Sequence, residues 1–339
     1  MHALNQLAFE LCQIPSITLE EGPVLAFLSS WLTEQGLVVT KIPVAGRLDR
    51  YNILVSVEKR PKYRVIFCTH IDTVPPFVAP RLDFDSGKLW GRGACDAKGI
   101  ASAMIMALLE EKAQGHKDVA VLLTVGEELH SDGAKAANSE LSGRADFVVI
   151  GEPTELRCAT WQKGCVVFEL ATVGVPAHSA LPGLGRSAVH ELIATCQKML
   201  EFPWPNSPHL GPTLLNLGLI NGGEAANRLA SCAQASGVMR ISDKADSAIA
   251  TLKSMLGPHT SLTVRSHSDP FEYVAVQGLP TFCADFGSDA PHLRDVGRLI
   301  LCGPGRIDVA HTESEYIDLA DLHKALSVYR HLAATFRQE

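Results

Sequence analysis

Acids and histidines recur where apolar runs end. Val65-Ile66-Phe67-Cys68-Thr69 runs into His70-Ile71-Asp72, Leu122-Leu123-Thr124-Val125 into Gly126-Glu127-Glu128, and Phe147-Val148-Val149-Ile150 into Gly151-Glu152. His70 and Asp72 are two apart, so on extended chain their side chains point the same way. A metal-ligating histidine usually donates its other N–H to a carboxylate, and Asp72 fits that orienting role. A surface histidine near a loop aspartate explains the segment as well. Two adjacent carboxylates such as Glu127 and Glu128 repel each other, and burying one ionised acid costs several kcal/mol unless it is paired or coordinated. Adjacent residues diverge on extended chain, so one can hold a cation while the other faces a bound water. A solvated loop pair is the alternative.

Two further segments join this set. Gly91-Arg92-Gly93-Ala94-Cys95-Asp96-Ala97-Lys98-Gly99 leads into a helical pattern. Asp96 there is either the helix N-cap or a carboxylate on a tight glycine turn, able to bridge two cations. Far along the chain, Gly303-Pro304-Gly305 precedes Ala310-His311-Thr312-Glu313. With His70, Asp96, Glu128 and Glu152, His311 completes two imidazoles and three carboxylates, a set suited to two zinc-like ions sharing one acid. HExxH, zinc-finger, P-loop and GxGxxG patterns are absent, and no cysteine carries a nucleophile signature.

The elements that must position these residues follow from periodicity. Leu4, Leu7, Ala8 and Leu11 mark one helix, and Val24, Leu25, Leu28, Trp31 and Leu32 a second. Residues 37–42, 52–57 and 63–69 read as strands and 98–112 as a helix. The near-continuous apolar runs 119–125 and 147–150 read as strands covered on both faces. Residues 165–265 change character: strand 165–172, helix 187–201, strands 214–220 and 232–241, helix 245–256, strand 261–265. That βαββαβ order is a ferredoxin-like α+β unit. Strands near 281–286 and 299–302 and a helix from about Ile317 to Arg337 resume the first pattern. The expectation is an α/β fold: a three-layer catalytic domain with a mixed central sheet (1–162 and 268–339), interrupted by an inserted α+β domain (163–267).

Composition bounds the partners. The 339 residues are 46% hydrophobic and 20% charged, enough apolar content for a full core. Thirty basic against 37 acidic residues give a net charge of −7, which argues against a nucleic-acid surface. No apolar run approaches the roughly 18–20 residues of a membrane helix. The first residues read as an amphipathic helix and not as an export signal. The 9 scattered cysteines fit reduced thiols in a cytoplasmic protein.

His70-x-Asp72-x-Val74-Pro75, Gly91-Arg92-Gly93 through Asp96 to Lys98-Gly99, Gly126-Glu127-Glu128, Gly151-Glu152-Pro153-Thr154, Pro176-Ala177-His178-Ser179 and the late His311 stand in this order. Together they resemble the di-zinc amidohydrolase and exopeptidase family of acetylornithine deacetylase, succinyl-diaminopimelate desuccinylase, aminoacylase and glutamate carboxypeptidases. The likeness runs from about Leu4 to Leu326. It implies that the inserted domain is a lid that forms the contact of a homodimer. It also implies that two divalent ions, zinc first and cobalt or manganese otherwise, are held by His70 and Glu152 on one side and Glu128 and His311 on the other. Asp96 would bridge them, with the peptide bond after it often cis in relatives, and Asp72 would support His70. Glu127 would be the general base for a water that the ions acidify. His178 would reach a partner's active site and stabilise the oxyanion, while Arg240 and Asn227 would hold a substrate carboxylate.

The implied substrate is a small N-acyl amino acid, N-acetylornithine first, whose deacetylation would belong to arginine biosynthesis. Phe286-Gly287-Ser288-Asp289-Ala290-Pro291 and residues 302–311 look most like the acetylornithine deacetylase branch. Relatives there often carry Thr-Glu where this chain has Ser288-Asp289, a departure at the pocket. N-succinyl-diaminopimelate, N-acetylcitrulline and di- or tripeptides are the other substrates considered. An inactive binding descendant would be expected to have lost Glu127 or a ligand, and none is lost.

Overall fold

A computed structural model describes residues 2–338. The chain divides into two compact units. The first comprises residues 2–160, 273–282 and 288–338, and the second 161–272 and 283–287. The second is wider than the 163–267 expected, for a backbone reason. Phe271 and Glu272 pair with Gln162 and Trp161, and the Lys163 amide donates to Ala284.

The first unit is built on a six-stranded mixed sheet. Its order is Val38–Pro43, Tyr51–Ser56, Val119–Thr124, Tyr63–His70, Ala145–Ile150, Arg298–Leu301. The first two strands run antiparallel to their neighbours, and the other pairings are parallel. Register aligns His70 with Thr124, and Cys68 and Leu301 with Ile150. The carboxyl ends of the parallel strands therefore open on one edge, where ligands bind in open α/β sheets.

Both faces of this sheet are covered. Val65, Phe67, Val121, Leu123, Phe147 and Val149 share a core with helices Ala3–Gln13, Gly22–Glu34, Lys98–Ala113 and Leu319–Phe336. The alternating residues Ile66, Cys68, Ala120, Leu122, Val148 and Ile150 are equally buried on the other face. Helix Asp132–Glu140 packs against strands of this sheet. Its only buried aliphatic side chains are Ala134 and Ala137, so no apolar stripe betrays it in the sequence. The C-terminal helix begins at Leu319 and not Ile317, because Tyr316–Asp318 is held as a strand against Lys88–Trp90.

The second unit is a four-stranded antiparallel sheet in the order Leu214–Gly222, Cys232–Ile241, Gly164–Val173, Thr260–Ser268. Helices Ala188–Glu201 and Ala245–Ser254 pack on it around Phe168, Leu192, Met199, Met239 and Leu252. Strict alternation along Cys232–Ile241 buries every second side chain, as a one-sided sheet demands. Among the described residues no helix is long and apolar enough to cross a membrane.

Candidate metal centre

The strand Tyr63–His70 delivers His70 to the open edge of the sheet. Its ring Nδ1 lies 3.0 Å from the Asp72 carbonyl and 3.5 Å from the Asp72 carboxylate. Nδ1–H donates to the carbonyl, and Nε2 faces Asp96 Oδ1 at 2.9 Å. The carbonyl is thus the nearer orienting group. The Asp72 carboxylate itself accepts from Thr18 Oγ1 at 2.8 Å and from the amides of Glu127 and Glu128, each at 3.2 Å. Burial alone would raise its pKa, but His70 and Thr18 hold it below the ordinary value.

Asp96 does not cap the helix that follows. The N-cap is Ala97, and no side chain caps that end. The Asp96–Ala97 peptide is cis. The two carboxylate oxygens serve two histidines: Oδ1 faces His70 Nε2, and Oδ2 lies 3.2 Å from His311 Nε2. His311 Nε2 is also 2.9 Å from Glu128 Oε1. Glu152 follows Gly151, where a side chain would strike Ile100 and Met104 at 2.5 Å. One donor atom each from His70, Asp96 and Glu152 falls within 4.8 Å, and likewise from Asp96, Glu128 and His311. A third such group joins His70, Glu127 and Glu128. Asp96 belongs to the two groups that carry Glu152 and His311, as a shared ligand must.

The electrostatics fit a pocket built for cations. Burial pushes Glu127 and Glu152 well above the ordinary carboxylate range, and neighbouring acids push them further. Burial would lower His70, yet Asp72 and Asp96 hold it high; Asp96 and Glu128 raise His311 to about 10. Burial would raise Asp96, but His311 and His70 hold it well below its usual value. An oxygen-rich set with two imidazoles fits divalent zinc, cobalt or manganese.

His70, Asp72, Asp96, Glu127, Glu128, Glu152 and His311 are therefore brought together in the first unit. His178, Asn227 and Arg240 lie in the second. His178 is exposed, and its Nδ1 accepts from the Ala180 amide at 3.1 Å. The neighbouring Ser179 amide donates to the Asn227 carbonyl at 3.0 Å, and His178 forms an antiparallel bridge with Arg228, so the two segments run side by side. Arg240 is half-buried on its strand opposite Cys165 and Leu214, with Nη1 beside Gly287.

Several polar residues about the centre make contacts that the sequence does not announce. Glu315 and Arg92 form a buried ion pair, and Glu315 Oε1 accepts from the amides of Cys95 and Asp96. Thr124 Oγ1 donates to buried Asp289 at 2.8 Å, and burial raises Asp289 to about 6. Arg92 lies inside the Gly91-Arg92-Gly93 motif, and Glu315 four residues after His311. Their spacing from each other in the chain forms no pattern.

Residues 66–335 match the model of peptidase family M20/M25/M40. A peptidase M20 domain-containing protein of Schizosaccharomyces pombe is 32% identical over 337 residues, covering 97% of this chain and 84% of its own. A probable carboxypeptidase of Paracoccidioides brasiliensis is 33% identical over 368 residues, covering 95% of this chain and 83% of its own. Among solved structures, a tripeptidase of Staphylococcus aureus superposes with a TM-score of 0.83 at 22% identity, over 99% of this chain and 98% of that one. The chain belongs to peptidase family M20/M25/M40 and is a metal-dependent hydrolase.

Proposed function

We propose that the protein hydrolyses the amide bond of a short peptide or N-acyl amino acid carrying a free α-carboxylate. His70 and Glu152 would hold one divalent ion, Glu128 and His311 the other, with Asp96 between them; zinc is the first choice. The observation that carries this reading is Asp96, whose two buried oxygens each face a different histidine. When bound, the ions supply Lewis acidity and lower the pKa of water.

The residues divide the remaining work. Asp72 fixes the amides of Glu127 and Glu128, and so aims both carboxylates. Glu127 takes the proton of the attacking water and delivers it to the leaving nitrogen. His178 donates to the developing oxyanion, and Arg240, with Asn227, grips the substrate carboxylate. The second unit acts as a lid and pairs two copies into a homodimer. The names of the relatives move the leading substrate from acetylornithine, which they do not support, to a peptide cleaved at its carboxyl end. Hydrolysis of a panel of di- and tripeptides, N-acetylornithine and N-succinyl-diaminopimelate, with zinc, cobalt or manganese added back to chelated protein, tests this. Free amino acid released from peptides supports it. Release from no member of the panel with any metal overturns it.

A further inference from the structure

Glu315 and Arg92 are among the most buried charged side chains of the protein, at 1% and 2% exposure. Buried ion pairs seldom add stability over apolar packing, so their position calls for another reason. Each end of this pair touches a different part of the metal centre. Glu315 Oε1 accepts from Cys95 N at 3.0 Å and Asp96 N at 3.1 Å, while Oε2 receives Arg92 Nη1. The Glu315 carbonyl also accepts from Gly91 N at 2.9 Å. Arg92 Nη2 reaches the His311 carbonyl at 3.5 Å, and its Nε the Pro76 carbonyl at 3.3 Å. His311 itself stands at φ +63°, a left-handed conformation uncommon outside glycine.

The geometry points to Glu315 and Arg92 as positioning residues that set Asp96 and His311 as one unit, so that the shared carboxylate and the second site's imidazole keep their spacing when ions bind. This role presupposes the two-ion hydrolase proposed above. Neither residue donates a ligand atom or meets substrate. Both act through backbone groups: Glu315 through the Asp96 amide, Arg92 through the His311 carbonyl. Outer partners of this kind typically change metal affinity by 10–100-fold.

The test is calorimetric titration of zinc into chelator-stripped full-length protein, with visible spectra of the cobalt-loaded form. Wild type should take up two ions. Glu315→Gln keeps an oxygen for the two amides but turns its other end into a donor against Arg92. It should bind ions about 10–100-fold more weakly and change the cobalt absorption bands in protein that remains folded, with a lowered melting temperature because the buried Arg92 charge loses its partner. Arg92→Lys keeps the charge but loses the planar reach to His311. It should weaken ion binding in the same direction, and it carries the test if Glu315→Gln does not fold. Wild-type affinity and an unchanged cobalt spectrum in a folded variant would overturn the positioning role. Uptake of fewer than two ions by wild type would instead overturn the two-ion reading.

Discussion

Glu127 is a carboxyl group placed where ionisation is unfavourable. Burial raises its pKa, His70 opposes this, and Asp289, Glu128 and Asp96 reinforce it. A divalent ion held alongside would reverse that balance and favour the carboxylate. An acid poised between the two forms can take a proton and return it within one turnover. Glu127→Ala should lower kcat by at least about 10²–10⁴-fold while the metal content, measured by elemental analysis, stays at wild type. Near-normal turnover would remove Glu127 from the mechanism. His178 presents the complementary case. Its Nδ1 accepts a backbone N–H, so its Nε2 carries the hydrogen and is a ready donor. His178→Ala should cost about 10²–10³-fold in kcat with zinc retained; a variant that loses metal but otherwise turns over normally would contradict the role.

At the scale of elements, the turn after Val119–Thr124 shows how backbone geometry aims the acids. Gly126 sits at φ +75°, and a Cβ there would lie 2.0 Å from Asp132 Oδ1. Asp132 cannot step aside freely, because Arg50 grips it while also holding buried Glu21. Gly126→Ala should therefore destabilise the fold by about 1–3 kcal/mol in denaturant titration. It should also lower kcat beyond what partial unfolding explains, because the Glu127 and Glu128 amides leave Asp72. The same elements show what a sequence can carry. Strand ends are legible because buried apolar runs stop abruptly at His70 and Glu152. Register then brings the ends together; the apolar runs announce a sheet covered on both faces, while its antiparallel pairings appear only in the structure. Contacts such as Glu315 with Asp96 follow from tertiary packing alone, with no periodicity to announce them. The helix Asp132–Glu140 is silent in the sequence because alanines pack without a strong apolar stripe. The roles of His178, Asn227 and Arg240 rest on resemblance, and their own segments hold no pattern that would single them out.

At the scale of the molecule, bound cations would relieve the repulsion within a cluster of converging acids on a chain whose net charge is already −7. Ions that bind only the folded state stabilise it by about 4 kcal/mol at a free concentration of a thousand dissociation constants. Chelation should therefore lower the melting temperature, and adding back zinc should restore it; an unchanged melting curve would show that the acids do not need cations. Association raises a separate question. In the second unit, Leu214–Gly222 is an edge strand with Leu214, Leu219 and Ile220 exposed by 47%, 64% and 59%. The adjoining helix Ala188–Glu201 exposes Ile193 and Leu200 as well. Edge strands with exposed apolar side chains are templates for pairing with another chain, and soluble proteins usually break them with charge or proline. Here neither device is present along Leu214–Gly222. A homodimer joined at this edge accounts for that composition. Leu219→Lys combined with Ile220→Asp places charges on the edge and leaves the core of Phe168, Met199 and Met239 untouched. If the proposed homodimer forms at this edge, light scattering should report a dimer for wild type and a monomer for the double variant, with the melting temperature nearly kept. If the double variant stays dimeric, the interface lies elsewhere.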